Sequence, residues 1–138
     1  MNKIKNRIFI TSNLKAGETV SLSDDKSHYL NNVLRCKIGD HISLFNEKSE
    51  CLAEVVSNVK NACKLKLMEC KKNEIDRHKI TLFFSPIKRT PMEFMVQKCT
   101  EIGITSFQPV LMQRTNYKKI NLERLKLISI EASEQSSR

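Results

Sequence analysis

The side chains best equipped for chemistry in this sequence are cations placed just after apolar segments. Arg114 follows the run 105–111, Lys88-Arg89 follows the run 80–85, and Arg35 with Lys37 follows an apolar pattern ending at Leu34. Guanidinium and ammonium groups suit two tasks: gripping phosphate, and stabilising negative charge that develops in a reaction. Arg114 has a second credential. It stands past the second strand of a strand-helix-strand pattern, at the end of an open parallel sheet where ligands bind; the alternative is a solvated loop arginine. Arg7 is a further candidate phosphate contact. His28 near a helix start is either a ligand contact or structural. Lys98 and Glu101, three apart, either pair on a helix surface or serve a site or dimer surface. Glu134, Gln135 and Arg138 share or adjoin one face of the last helical pattern.

Other chemistries find no support. The sequence holds no Ser-His-Asp or Cys-His arrangement, His41 and His78 have no metal-ligand spacing, and no cysteine pair is spaced C-x-x-C. Asp24 and Asp25 suit the first turn of a helix, where the dipole favours anions, better than paired-carboxylate catalysis. The five cysteines (36, 51, 63, 70 and 99) are expected to be buried thiols in a cytosolic protein without a signal peptide. No apolar run approaches the ~20 residues that span a bilayer.

The charge balance agrees with a polyanionic partner. The formal net charge is +9, and it is uneven: residues 1–76 carry 13 Lys/Arg against 10 Asp/Glu, residues 77–138 carry 11 against 5. Each phosphate neutralised by such a surface releases counterions. With 40% hydrophobic and 28% charged residues and no long block of one sign, the chain is globular rather than disordered.

The elements that must hold these cations fall into two sets. Residues 7–10 and 18–22 read as short strands, and Ser23 as the cap of a helix over 24–35 with Tyr29, Leu30, Val33 and Leu34 inward. Strands are expected over 41–46, 51–57 and 63–70, where Leu65 and Leu67 alternate with Lys64 and Lys66. This is a small β-barrel with one helix. The polar stretch 71–79 reads as a linker. Beyond it, a strand over 80–85 leads to a helix with Thr90 as cap, Pro91 in the first turn and Glu93 closing a capping box. Met92, Met95, Val96, Cys99 and Ile102 form its buried stripe, and Gly103 ends it. A strand over 105–111 and a helix capped by Asn121, with Leu122, Leu125, Ile128 and Ala132 inward, complete a βαβα series. The fold class is α+β followed by the opening of a parallel α/β sheet, with domains at 1–74 and 77–138.

Several stretches are similar to the RsmE family of ribosomal RNA methyltransferases. Arg7-Ile8-Phe9 resembles the family's opening strand. His28-Tyr29-Leu30-Asn31-Asn32-Val33-Leu34-Arg35, with Gly39-Asp40, resembles its "H-L-x-x-V-L-R…G-D" signature. Gln97-Lys98-Cys99-Thr100-Glu101-Ile102-Gly103 corresponds to "Q-K-A-T-E-L-G", Pro109 with Arg114-Thr115 to "P…R-S", and residues 131–138 to "E-A-x-E-Q-S-x-R". The resemblance implies a PUA-like RNA-binding barrel joined to a SPOUT methyltransferase domain. Its activity would be S-adenosylmethionine-dependent methylation of N3 of a uridine in 16S rRNA, by a cytoplasmic homodimer acting on the small ribosomal subunit without membrane or metal. The family's "G-P-E-G-G" loop has no counterpart among Gly17, Gly39 and Gly103, so the cofactor-binding residues are expected outside this chain, which would be inactive alone.

Within that resemblance, Arg114 takes the catalytic role of orienting the target nucleotide or stabilising charge on it. Arg7, His28, Arg35, Lys37, Lys88 and Arg89 take RNA contacts, and Lys98, Glu101, Glu134, Gln135 and Arg138 support the site. The alternatives are an RNA-binding module, one half of a split enzyme, or a remnant without catalysis.

Overall fold

The computed structural model describes residues 6–59, 62–73 and 79–136, in two compact units, Met1–Glu74 and Ile75–Arg138. In the first unit, β1 (Arg7–Phe9), β2 (Thr19–Ser21), β3 (His41–Phe45), β4 (Ser49–Val59) and β5 (Ala62–Lys72) form one sheet in the order β1-β3-β4-β5-β2. β1 runs parallel to β3; the other neighbours are antiparallel. The period-2 pattern sends Leu65 and Leu67 inward and Lys64 and Lys66 to solvent. Ile8, Leu30, Ile42, Leu44, Val55, Leu65 and Leu67 are almost wholly removed from water, so the helix face bearing Leu30 closes the sheet's apolar side.

The helix differs from its expected form. α1 (Asp24–His28) passes directly into a π-helical turn, Tyr29–Val33, in which the Leu34 N–H donates to the Tyr29 carbonyl at 3.0 Å. Ser23 caps through its backbone alone: its carbonyl accepts from Ser27 N–H at 2.8 Å, with no side-chain cap bond. Winding stops before Arg35, whose φ of 50° is left-handed. Gly39 then turns the chain at φ 89°, and Asp40 fixes this corner by accepting from Lys37 N–H at 2.8 Å.

Arg7 and Glu50 tie β1 to β4. The guanidinium donates twice to the carboxylate, at 2.9 and 3.0 Å, and stacks 3.9 Å from the Phe45 ring centre; Ser43 Oγ also donates to Glu50. The Arg7 hydrogen bond, ahead of the contribution of Ser43, holds the Glu50 carboxyl below its usual range although burial opposes this. A depressed carboxyl stabilises the fold above its unfolded pKa, and that contribution is lost as pH falls through the lower folded value. The melting temperature gap between wild type and Glu50→Gln is therefore expected to narrow on acidification from pH ~7 to ~3. A gap of constant size would rule out this ionic role.

The cysteines depart from the expected set of free thiols. Cys51 lies directly opposite Cys70 across β4 and β5, Cα atoms 4.0 Å apart, and the two are disulfide-bonded. Cys36 and Cys63 are buried thiols and Cys99 is half-buried. The expected linker at 71–79 is also shortened, because β5 extends through Lys72; residues 74–78, His78 among them, lie outside those described.

The second unit is β6 (Thr81–Phe84), α2 (Arg89–Glu101), β7 (Ser106–Pro109) and α3 (Leu122–Ser136), with β6 and β7 parallel. Phe84, Met92, Val96, Leu125 and Ile128 form its core, supported by Met95, Phe107 and Ile120. Gly103, at φ 101°, ends α2: its N–H donates to Thr100 O and Ile104 N–H to Cys99 O, the paired bonds of a Schellman turn. Asn121 Oδ1 accepts from Arg124 N–H at 3.0 Å, as an N-cap should. The capping box at Thr90 does not form. α2 begins two residues earlier with Lys88 as its cap, and Glu93 is drawn to Arg89 and Arg124 instead. Ile102 and Leu122, expected inward, are 73% and 64% exposed, while Thr100 is buried with its hydroxyl donating to Val96 O. Phe83 points away from the core and is 67% exposed.

Candidate nucleic-acid and catalytic site

The parallel pairing of β6 and β7 places both carboxyl ends on one edge of the second unit, and the loops leaving them are tied together. Val110 N–H donates to Phe84 O at 2.8 Å, and the hydroxyls of Ser85 and Thr115 share a hydrogen bond of 2.8 Å. Thr115 is buried, and its Oγ1 accepts from Met112 N–H at 2.7 Å while its own N–H donates to Met112 O at 3.0 Å. This closed turn presents the neighbouring Arg114 to solvent. A cleft of about 440 Å³ opens there, lined by Ser85, Lys88, Pro91, Arg114 and Tyr117 among others. Its size falls in the ~300–1,000 Å³ range of ligand sites.

A second cleft, of about 880 Å³, adjoins the first and shares Ile87, Lys88 and Tyr117 with it. Its far wall is the start of α3. Arg89 donates to Glu93 at 2.7 Å and Arg124 lies 3.5 Å from the other carboxylate oxygen. The Arg89 hydrogen bond, with help from Arg124, holds Glu93 below its usual range and raises Arg89 in turn.

Of the residues singled out from sequence, the structure brings Arg114 and Lys88 to one cleft and Lys88 and Arg89 to the next. Lys98 and Glu101 pair with each other at 2.9 Å in the last turns of α2, away from the clefts. Glu134 is half-buried and Gln135 exposed at the far end of α3, about 13 Å along the helix from Leu125. Arg138 lies outside the described residues. In the first unit, Arg7 is occupied by Glu50 and Phe45 and is only 12% exposed, a structural position rather than an open phosphate contact. His28, Arg35 and Lys37 are exposed there. Sequence reading missed Ser85, Tyr117, Lys119 and Arg124. The signal available for the last two was the basic stretch 118–126 before and within a capped helix.

Among the described residues no group of three His, Cys, Asp or Glu side chains could hold a metal ion, and no helix is long and apolar enough to cross a membrane.

A cation-lined cleft at the carboxyl ends of parallel strands, following a separate β-rich unit with exposed cations, is the layout of a two-domain RNA-modifying protein. Comparisons with known proteins give the same class. Residues 22–68 match the family model of the RNA methyltransferase PUA domain, and residues 73–138 match that of the RNA methyltransferase domain. The ribosomal RNA small subunit methyltransferase E of Rickettsia conorii is 35% identical over 135 residues, covering 96% of this chain and 55% of the relative. That of Buchnera aphidicola from Acyrthosiphon pisum is 31% identical, covering 99% of this chain and 57% of its own length. Among solved structures, the enzyme of the same name from Neisseria gonorrhoeae, bound to S-adenosyl methionine, superposes with a TM-score of 0.85 at 30% identity, over 96% of this chain and 57% of that one. The chain belongs to the ribosomal RNA small subunit methyltransferase E family, and it spans just over half the length of these relatives.

Proposed function

We propose that this chain supplies the RNA-binding unit and the first part of the catalytic unit of an enzyme that methylates N3 of a uridine in 16S rRNA with S-adenosylmethionine. The observation that carries this reading is the convergence of Arg114 and Lys88 on one cleft at the carboxyl ends of β6 and β7. N3 of uracil is a weak acid, so its reaction at neutral pH requires loss of a proton. A guanidinium beside O2 or O4 stabilises the resulting anion. The nucleotide must also leave its stack to enter a closed site, which favours an RNA strand held on both sides of the target.

The residues described do not themselves fit the methyl donor. Binding such a cofactor calls for backbone that approaches it closely, and the glycine of the second unit, Gly103, is spent on ending α2. The donor's site is assigned to the remainder of the family's domain, and the 138 residues alone are inactive in this reading. The enzyme acts in the cytoplasm as a homodimer on the small ribosomal subunit.

Deleting the coding sequence is expected to remove 3-methyluridine from 16S rRNA in the protein's own cells, read by nucleoside mass spectrometry. An undiminished 3-methyluridine signal would overturn the assignment. Arg35 and Lys37 form the phosphate contact of the first unit. Their joint replacement by alanine should reduce the salt slope of single-stranded RNA binding by about 1.4, at ~0.7 per phosphate. An unchanged slope removes them from the interface.

A second reading, that the chain is half of a split enzyme, draws on Phe83. This large apolar side chain stands 67% exposed on the open face of β6, as a surface awaiting a cover would. The mass of the native species decides it: a 16.0 kDa chain recovered bound to a separate partner that carries the rest of the domain supports a split enzyme. A single heavier polypeptide refutes it.

A further inference from the structure

Tyr117, Lys119 and Arg124 have no part in the charge stabilisation assigned to Arg114, yet they wall a cleft twice as large as the one Arg114 lines. The two clefts adjoin at Ile87, Lys88 and Tyr117, which line both. The larger one is lined by four cations, Lys88, Arg89, Lys119 and Arg124, against two carboxylates, Glu93 and Glu123. Glu93 is already matched to Arg89 and Arg124. The described residues give Lys88 and Lys119 no ion pair. One donor is left over as well: Arg124 Nε is buried without a hydrogen-bond acceptor. An unsatisfied buried donor is costly, and turning the partly exposed Arg124 side chain toward an anionic oxygen in the cleft would relieve that cost. Tyr117, 42% exposed, lines both clefts.

We infer that these clefts are one groove that seats the unpaired RNA strand adjoining the target uridine, with a base stacked on Tyr117 and phosphates on Lys88, Lys119 and Arg124. This deepens the RNA-methylation reading and rests on it. Alternating cations and an exposed aromatic ring are the means by which proteins hold single strands: the charges follow the backbone and the ring takes a base through its face. A duplex keeps its bases stacked on each other and leaves the ring unused. The Arg89–Glu93–Arg124 bridge lines the groove and links the start of α2 to the first turn of α3. The path would also help hold a flipped uridine at Arg114, since its neighbour is gripped by Tyr117, Lys119 and Arg124, none of which is assigned to the reaction.

The test uses the 138-residue chain and a fluorescein-labelled, uridine-containing RNA of about 12 nucleotides, single-stranded or annealed to its complement, read by anisotropy across a salt series. Tyr117→Ala should weaken single-strand binding roughly 5- to 150-fold, the loss of one stacked base, while Tyr117→Phe retains it and duplex binding is unchanged. The double variant Lys88→Ala, Lys119→Ala should lower the single-strand salt slope by about 1.4. In the wild-type chain, bound RNA should shield Lys88 and Lys119 from acetylation, a readout that needs no variant. If the wild-type chain binds the RNA but none of these changes and no shielding are seen, the groove is wrong and the methylation reading stands. If the wild-type chain binds no RNA at all, both fall. Equal losses for single strand and duplex in Tyr117→Ala would assign the groove to a duplex and overturn the single-strand path.

Discussion

Arg114→Glu is expected to lower methylation by the complete enzyme by about 100- to 1,000-fold, the size of effect seen when a charge-stabilising group is removed from a reacting centre. The argument is positional. Thr115, buried and bonded to both Ser85 and Met112, fixes the turn on which Arg114 stands, so the guanidinium is delivered to the cleft by a rigid frame. A carboxylate in the same place would oppose an anionic uracil instead of favouring it. Arg114 is itself exposed and lies outside the core cluster, so the unfolding free energy should stay within the range of an ordinary surface change, about ±0.5 kcal/mol. Arg114→Lys should keep part of the activity, since the charge remains and the planar fork is lost. Methylation by the glutamate variant within threefold of wild type would exclude Arg114 from the reaction.

Leu44→Ala should have the largest effect on stability, about 2–5 kcal/mol. Leu44 is fully buried in β3, opposite Ile8 on one side and Cys51 on the other. Few atoms around it can move inward, because Cys51 belongs to a strand laddered on both edges and Ile8, itself buried, to one laddered along β3. Against a total stability of about 5–15 kcal/mol, such a loss takes the first unit to the margin of folding at growth temperature. Val33→Ala, at a site 60% exposed, should change stability by no more than about 0.5 kcal/mol. Urea midpoints for the two variants decide the matter. A cost below about 1 kcal/mol for Leu44→Ala would show that this core is not packed as described.

Much of the fold was legible in the sequence because local patterns carried it. Leu65 and Leu67 between lysines marked β5, and Asn121 and Gly103 marked helix ends by chemistry that acts within a few residues. Several of the misreadings share a cause: they depended on something distant along the chain. Cys51 meets Cys70 only because of the register of β4 on β5, which two irregularities, at Leu52/Ala53 and Val55/Ser57, set in ways no local pattern records. Glu93 fitted a capping box by spacing, but its carboxylate bonds Arg89 one turn earlier and also faces Arg124, far off in sequence. Arg7 stood in a family-like strand and read as a phosphate contact until Glu50 and Phe45 arrived beside it from other strands. For the site, Arg114, Lys88 and Arg89 were visible as cations after apolar runs. Tyr117 was not, because its value lies in standing between two clefts that only the folded loops create.

The wide turn at Tyr29–Val33 carries a consequence for how this protein tolerates change. A π-helical turn is an α-helix holding one residue too many, so everything after it is out of phase by about 100° with the winding that began at Asp24. The left-handed Arg35 and the corner at Gly39 take up that phase before β3 begins. Deleting one residue between Tyr29 and Val33 would restore regular winding and swing the following cations to another side, with composition almost untouched. Spacing, more than residue identity, is what natural variation should preserve in this segment. Relatives that exchange its exposed side chains freely should nonetheless keep its length to the residue.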